Sequence, residues 1–144
     1  YLWVGAQVNR RLAGPGCRRI LENVPYRDMP GVYASADVLV FLSDAPGAST
    51  SPLEMFATGG TAIVWDAPGM DDVVVHRHDG WICPRHSDEA VIEAIRRLDR
   101  DRATLDALQR GARATAATMP SRAEWAEAIV AAVRSLAVEE TRAV

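Results

Sequence analysis

The stretch that decides the fold runs from residue 38 to residue 65 and has the sequence VLVFLSDAPGASTSPLEMFATGGTAIVW. It contains two continuous apolar runs, 38–42 and 61–65, which are separated by a loop of small residues and a helical segment. Continuous rather than alternating apolar runs are typical of strands that are covered on both faces, as in parallel sheets with flanking helices. We therefore predict two buried parallel strands joined by a helix over 51–58, which ends at the glycine pair that follows it.

Sequence patterning on both sides of this stretch continues the alternation of strands and helices. Apolar runs predict further strands over 1–5, 20–24 and 80–83, and helical spacing predicts helices over 27–36, 70–75 and 102–117 and from Ser87 and Ser121 onward. We therefore predict an α/β fold, a Rossmann-like open parallel sheet with helices on both faces and a helical C-terminus. We expect one domain over 1–138, truncated at its N-terminus, and a frayed tail over 139–144.

Each of the three C-terminal helices is amphipathic, so we expect each to bury one apolar stripe. The stripes are Val91, Ile95 and Leu98; Leu105, Leu108 and Ala112; and Trp125, Ile129, Val133 and Leu136. Ser121 and Glu124 have the spacing of a capping box at the start of the last helix. We interpret Trp125 as a core residue rather than a platform for a ligand.

The composition bounds the function classes. The chain has 144 residues and a net charge of −3, which offers no basic surface for nucleic acid. No apolar run approaches the roughly 18 residues of a membrane-spanning helix. Cys17 and Cys83 have neither metal nor redox spacing, which is typical of reduced thiols in a cytoplasmic protein. Because the sequence begins inside a strand and without Met, we expect it to be a domain cut from a longer protein.

The loop over 43–50 is the first candidate for a ligand site. Open α/β sheets bind ligands beyond the C-terminal ends of their strands, and this loop follows such a strand with small polar residues. The helix after it has Pro52 in its first turn, and its free backbone N–H groups favour an anion such as a diphosphate. The residues expected to line the site are Gly47, Ser49, Thr50 and Ser51. A plain turn is the alternative, because such residues commonly form one.

Glu54, one turn into that helix, has two interpretations. Its carboxylate could accept hydrogen bonds from neighbouring hydroxyls of a sugar, such as a ribose diol. Alternatively, Ser51 and Glu54 form a capping box, in which the carboxylate binds the backbone N–H of Ser51. Spacing alone leaves both open and favours the cap, because caps are far commoner than ligand sites.

Two further groups of side chains have weaker signals. Four potential zinc ligands lie close together in sequence, but their spacing matches no standard site, so we predict no metal. These ligands are His76, His78, Cys83 and His86. Asp71 and Asp72 follow the turn after the second buried strand. From the sequence they complement the N-terminus of a short helix, whereas the family resemblance described next implies an acid here that faces the ligand.

A series of motifs runs along the chain, namely Tyr33-Ala34-Ser35-Ala36-Asp37, the strand 38–42, Ser43, Gly47, Leu53-Glu54-Met55, Ala57-Thr58-Gly59 and Asp79-Gly80-Trp81-Ile82. Through these motifs most of the chain resembles the family 4 (group 1) glycosyltransferases of the GT-B fold. The resemblance implies that the chain is the C-terminal half of a GT-B fold, that Glu54 binds the nucleotide ribose, and that Asn23 and Val24 meet the base. Pro46 stands where the family has the first of two glutamates, which separates this sequence from the usual pattern.

The resemblance also implies a function for the whole protein. It implies transfer of a sugar from a nucleoside-diphosphate sugar to a glycan or lipid acceptor, with retention of configuration and with no cofactor. The acceptor would bind through an N-terminal domain that is missing here, so we expect this part alone to be inactive, and catalytic residues stay unassigned. Polysaccharide biosynthesis at the cytoplasmic face, with the full-length enzyme peripheral to the inner membrane, would follow. The alternatives are a non-catalytic α/β binding module and a GT-B sugar-nucleotide epimerase.

Overall fold

Strands and helices alternate along the chain in the computed structural model, which describes residues 2–5, 16, 19–44 and 49–142. The strands are β1 (Leu2–Gly5), β2 (Arg19–Glu22), β3 (Val38–Phe41), β4 (Thr61–Trp65) and β5 (Gly80–Cys83). The helices are α1 (Met29–Tyr33), α2 (Ser51–Ala57), α3 (Asp88–Arg100), α4 (Arg102–Ala117) and α5 (Arg122–Arg142), and a 3-10 turn at Tyr26–Asp28 leads into α1. Residues 6–15 and 17–18, which follow the predicted first strand, lie outside the described residues.

Every strand pairing among the described residues is parallel. β1 pairs with β2, and β3, β4 and β5 form a three-stranded sheet in that order. The register places Val40 opposite Ile63 and Ile63 opposite Trp81, so these three side chains share one face of the sheet. The parallel α/β fold predicted from the continuous apolar runs is confirmed.

The central strand β4 is buried on both faces, as its unbroken apolar sequence predicts. Ile63 packs with α3 and the first half of α4, whereas Ala62 and Val64 pack on the other face with Phe56 of α2 and Ala112 of α4. Helices therefore cover both faces of the sheet, and α4 contributes to both cores. The buried stripe of α4 is the predicted one, Leu105, Leu108 and Ala112.

Three local expectations are wrong. The segment 70–75 forms a single hydrogen-bonded turn, in which Val74 N–H donates to the Met70 carbonyl, rather than a helix. On α3 the buried stripe uses Ala94, while Ile95 is 43% exposed. Val40 of β3 is also 43% exposed, because α3 packs over β4 and β5 and leaves that face of β3 less covered.

The loop before β5, residues 75–80, is fixed by buried hydrogen bonds, and we call it the β5 loop. Asp79 is fully buried, and its carboxylate accepts from Val75 N–H at 2.7 Å and from the Thr115 hydroxyl of α4 at 2.8 Å. The Asp79 carbonyl accepts from the Thr61 hydroxyl at 2.6 Å. Gly111 of α4 lies so close to His78 that a Cβ there would overlap the His78 carbonyl oxygen. The β5 loop is therefore tied to both β4 and α4.

The last helix, α5, is capped as predicted but differs in its packing. Ser121 N–H donates to Glu124 Oε2 at 2.7 Å and Glu124 N–H to Ser121 Oγ at 3.2 Å, which is the capping box. Trp125 is 59% exposed and Val133 60% exposed, so the interpretation of Trp125 as a core residue is wrong. Within the described part of the chain, no helix is long and apolar enough to cross a membrane.

Candidate functional site

The start of α2 lies at the C-terminal edge of the parallel sheet, beyond β3. Thr50 is the N-cap and has helical backbone angles, Ser51 is the first helical residue, and Pro52 follows it. The cap makes no side-chain hydrogen bond to the backbone. The capping box that Ser51 and Glu54 could have formed is therefore not present, because Ser51 is already inside the helix.

The carboxylate of Glu54 instead binds side chains. Its Oε1 accepts a hydrogen bond from the Tyr26 hydroxyl at 3.0 Å and another from the Thr50 hydroxyl at 3.2 Å. Both bonds reach the same oxygen. Two hydroxyls thus orient a half-buried carboxylate at this edge of the sheet.

Tyr33 of α1 closes the same cluster. Burial raises the pKa of its phenol, and the hydrogen bond and negative charge of Glu54 raise it further, whereas a hydrogen bond with Ser51 opposes them. A raised pKa keeps the phenol protonated at neutral pH, so that it stays a hydrogen-bond donor. Hydroxyl groups from three segments therefore converge on Glu54.

The segment after β2 reaches this cluster through Tyr26. Asn23 has a left-handed backbone with φ +54°, which asparagine tolerates better than most residues, and Val24 beside it is half-buried. Because Tyr26 contacts Glu54, the structure brings 23–26 and 50–54 together, although they lie far apart in sequence. Ser49 and Ser51 are half-buried beside the exposed Thr50, whereas Gly47 lies outside the described residues.

Two residues that follow β5, Arg85 and His86, face the loop after β3. Sequence analysis did not single out Arg85, and it named His86 only as a potential zinc ligand. Arg85 donates from Nε to Asp44 Oδ1 and from Nη2 to the Asp44 carbonyl, both at 2.9 Å. His86 Nε2 lies 3.3 Å from the same carboxylate oxygen, and its ring packs edge-on against Trp65. The 41 positions between Arg85 and Asp44 give no local signal for this pair.

The candidate zinc ligands do not converge. His76 Nδ1 accepts from Ile82 N–H at 2.9 Å, His86 binds Asp44, and Cys83 is buried with its thiol pKa raised by burial. No group of three or more potential ligands is found in the ranges that the structure describes. Asp71 and Asp72 are exposed in a turn, so there is no helix there for them to complement.

Comparison with protein families gives a match over most of this site. The model of the family described as glycosyl transferases group 1 matches residues 18–115, which is more than half of the chain and includes Tyr26, Tyr33 and Glu54. This chain belongs to the group 1 glycosyl transferases. No significant match is found among curated proteins.

Solved structures give the same fold for this group 1 glycosyl transferase chain. HepE of Anabaena, crystallised in complex with UDP, aligns with a TM-score of 0.69 at 19% identity over 81% of this chain and 32% of its own. Sucrose-phosphate synthase of Thermosynechococcus elongatus aligns with a TM-score of 0.71 at 21% identity over 99% of this chain and 39% of its own. The chain thus spans less than half the length of either protein, and the predicted likeness to the C-terminal part of the GT-B fold is confirmed.

Proposed function

We propose that this chain is the donor-binding part of a glycosyltransferase that uses a nucleoside-diphosphate sugar. The observation that carries the proposal is the Glu54 carboxylate, which Tyr26 and Thr50 hold by one oxygen at the C-terminal edge of the sheet. Ligands of open α/β sheets bind at this edge. Membership of the group 1 family supports the same assignment.

The chemistry of the cluster suits a ribose. A diol donates hydrogen bonds, and an ionised carboxylate with a fixed orientation accepts them without first losing conformational freedom. Asn23 and Val24, next along the chain from the Tyr26 turn, would meet the base. The hydroxyl and backbone donors of Gly47, Ser49, Thr50 and Ser51 would meet the diphosphate.

The whole protein would supply the rest of the reaction. We propose that a further domain binds a glycan or lipid acceptor, that the sugar is transferred with retention of configuration, and that no cofactor takes part. The described part alone would then bind donor and transfer nothing. A cytoplasmic enzyme of polysaccharide biosynthesis, peripheral to the inner membrane, would fit this assignment.

Titration of the chain with UDP, GDP and dTDP by calorimetry tests the proposal. We expect one nucleotide to bind, and Glu54→Ala to weaken it by about 2–4 kcal/mol through loss of charge-assisted hydrogen bonds. Tyr26→Phe keeps the Glu54 carboxylate but removes one of the hydrogen bonds that orient it, so it should weaken nucleotide binding less than Glu54→Ala does. Glu89→Gln, an exposed acid in the first turn of α3, is the matched control and should bind like the native chain.

Two outcomes contradict the assignment. If none of the nucleotides binds to a chain whose unfolding transition is native, the non-catalytic module is the better description. If Glu54→Ala and Glu89→Gln bind equally well, the nucleotide lies elsewhere.

A further inference from the structure

A cleft lies at the opposite end of the sheet from the candidate functional site. Arg77 precedes β5, whereas Thr50 and Glu54 follow β3, and because the strands are parallel these segments lie at opposite edges. The cleft has a volume of about 240 Å³. Its lining residues are Arg77, Trp81, Arg97, Thr104, Ala107 and Leu108.

Two guanidinium groups share one indole in this cleft. The Cζ of Arg77 lies 5.2 Å from the centroid of the Trp81 ring, and the Cζ of Arg97 lies 5.5 Å from it. Stacking on an aromatic face holds each guanidinium in place and leaves its N–H donors free. Both arginines line the cleft, which therefore holds two positive charges beside one indole.

Neither arginine forms an ion pair among the described residues. The ion pairs found across the described ranges involve other arginines, namely Arg27, Arg85 and Arg102. Asp101 is the nearby acid: hydrogen bonds with Thr104 lower its pKa most, and the charge of Arg97 also lowers it, but both of its oxygens are used in capping α4. Its Oδ1 accepts from Thr104 N–H at 3.0 Å and its Oδ2 from the Thr104 hydroxyl at 2.6 Å.

The cleft is also preorganised. Arg77 has a left-handed backbone with φ +62°, and its N–H donates to the Gly80 carbonyl at 2.8 Å, inside the β5 loop that Asp79 anchors. The His76 ring packs edge-on against the Trp81 ring, with the ring centroids 5.2 Å apart. The His76 ring is itself held by a hydrogen bond from the Ile82 N–H of β5, so it helps to fix the position of the indole. A non-glycine residue keeps such a conformation only where its surroundings enforce it.

We propose that this cleft binds a phosphate-type oxyanion, either inorganic phosphate or the phosphoryl group of a small phosphate monoester. Two arginine forks match the charge and the oxygens of a phosphate dianion. The volume is below the range of about 300–1,000 Å³ that is usual for larger ligands, so a phosphate with at most one sugar fits. The site is separate from the Glu54 cluster and does not depend on it.

Titration followed by two-dimensional ¹H–¹⁵N NMR tests the proposal, with the indole Nε1–H signal of Trp81 assigned through Trp81→Phe. Inorganic phosphate and a hexose phosphate are added at constant ionic strength. We expect a saturable shift of the Trp81 signal, and roughly tenfold or greater weakening in both Arg77→Gln and Arg97→Gln. Arg96→Gln, an exposed neighbour on α3 that does not line the cleft, is the matched control and should titrate like the native chain.

The outcomes distinguish inorganic phosphate from a phosphate monoester as the ligand, and they show whether the proposal fails. Tighter binding of the hexose phosphate assigns the site to a monoester, and equal binding assigns it to free phosphate. A shift that does not saturate, or equal weakening in Arg96→Gln and Arg97→Gln, overturns the proposal. The backbone amide signals of each variant show that it is folded, and Glu54→Gln should leave the Trp81 titration unchanged.

Discussion

The loop after β3 and the β5 loop are held in opposite ways. Where it is described, the loop after β3 is tied by Arg85 and His86 to Asp44, and these side chains are 41–62% exposed. The β5 loop is tied by Asp79, which is fully buried and bound to two elements. The difference indicates that one edge of the sheet carries local stability, while the edge proposed to bind donor is left adjustable.

The largest effect on stability should come from adding a side chain at Gly111, where α4 contacts the β5 loop. Gly111→Ala would press a Cβ against the His78 main chain, which cannot rotate away as a side chain can. We expect a loss of roughly 4 kcal/mol in the free energy of unfolding, at the upper end for overpacking, measured by urea denaturation. Gly31→Ala in α1, where nothing lies within 4 Å of the added Cβ, is the control.

A Gly111→Ala variant with nearly native stability would contradict the difference drawn between the two loops. It would mean that the β5 loop moves away at little cost and is no more firmly held than the loop after β3. Gly31→Ala should leave stability unchanged or raise it slightly, because alanine favours a helix.

An intermediate effect on stability should follow from removing the buried carboxylate of Asp79. Asp79→Ala leaves the Val75 N–H and the Thr115 hydroxyl without their acceptor, so we expect a loss of about 3 kcal/mol in unfolding free energy. Thr115→Val removes only one of these bonds and should cost about 1.5 kcal/mol. Thermal unfolding of both variants measures this order, and a Thr115→Val loss as large as that of Asp79→Ala would contradict the account of the anchor.

The smallest effect is expected at the other edge. Arg85→Gln removes an ion pair whose side chains are 41% and 54% exposed, so its contribution is screened by water. We expect less than about 1 kcal/mol of lost stability, measured in the same denaturation series. A loss comparable with that of Asp79→Ala would show that the two loops are held alike.

Local patterns in the sequence predicted much of the fold. The unbroken run of β4 indicated burial on both faces, and the prediction of a helix from Ser87 is met by its side chain, which accepts from Ala90 N–H at the start of α3. These predictions succeeded because each depends on neighbours within a few positions. The prediction placed Ile95 in the core of α3, but Ala94 is buried there instead. Hydropathy favours isoleucine, whereas the orientation of the helix decides which side chain is buried.

The candidate site was only partly predictable for the same reason. Glu54 was found from its helix and from the family resemblance, but its partner Tyr26 lies 28 positions away. The contact between Asp44 and Arg85 and the pairing of Arg77 with Arg97 on one indole also depend on how distant segments pack. Such contacts follow from topology, which a single sequence does not specify.

The buried thiol of Cys83, the last residue of β5, allows the opening of that strand to be measured at the C-terminal edge of the sheet, the edge proposed to bind donor. This side chain is 1% exposed between β5 and α3, and burial raises its thiol pKa, so a maleimide or disulfide reagent reacts only after β5 detaches. In a Cys17→Ser background, the slope of the modification rate against low reagent concentration, divided by that of a free thiol, gives the opening equilibrium at this end of β5. Cys83 is thus a built-in chemical probe of local opening at the end of β5.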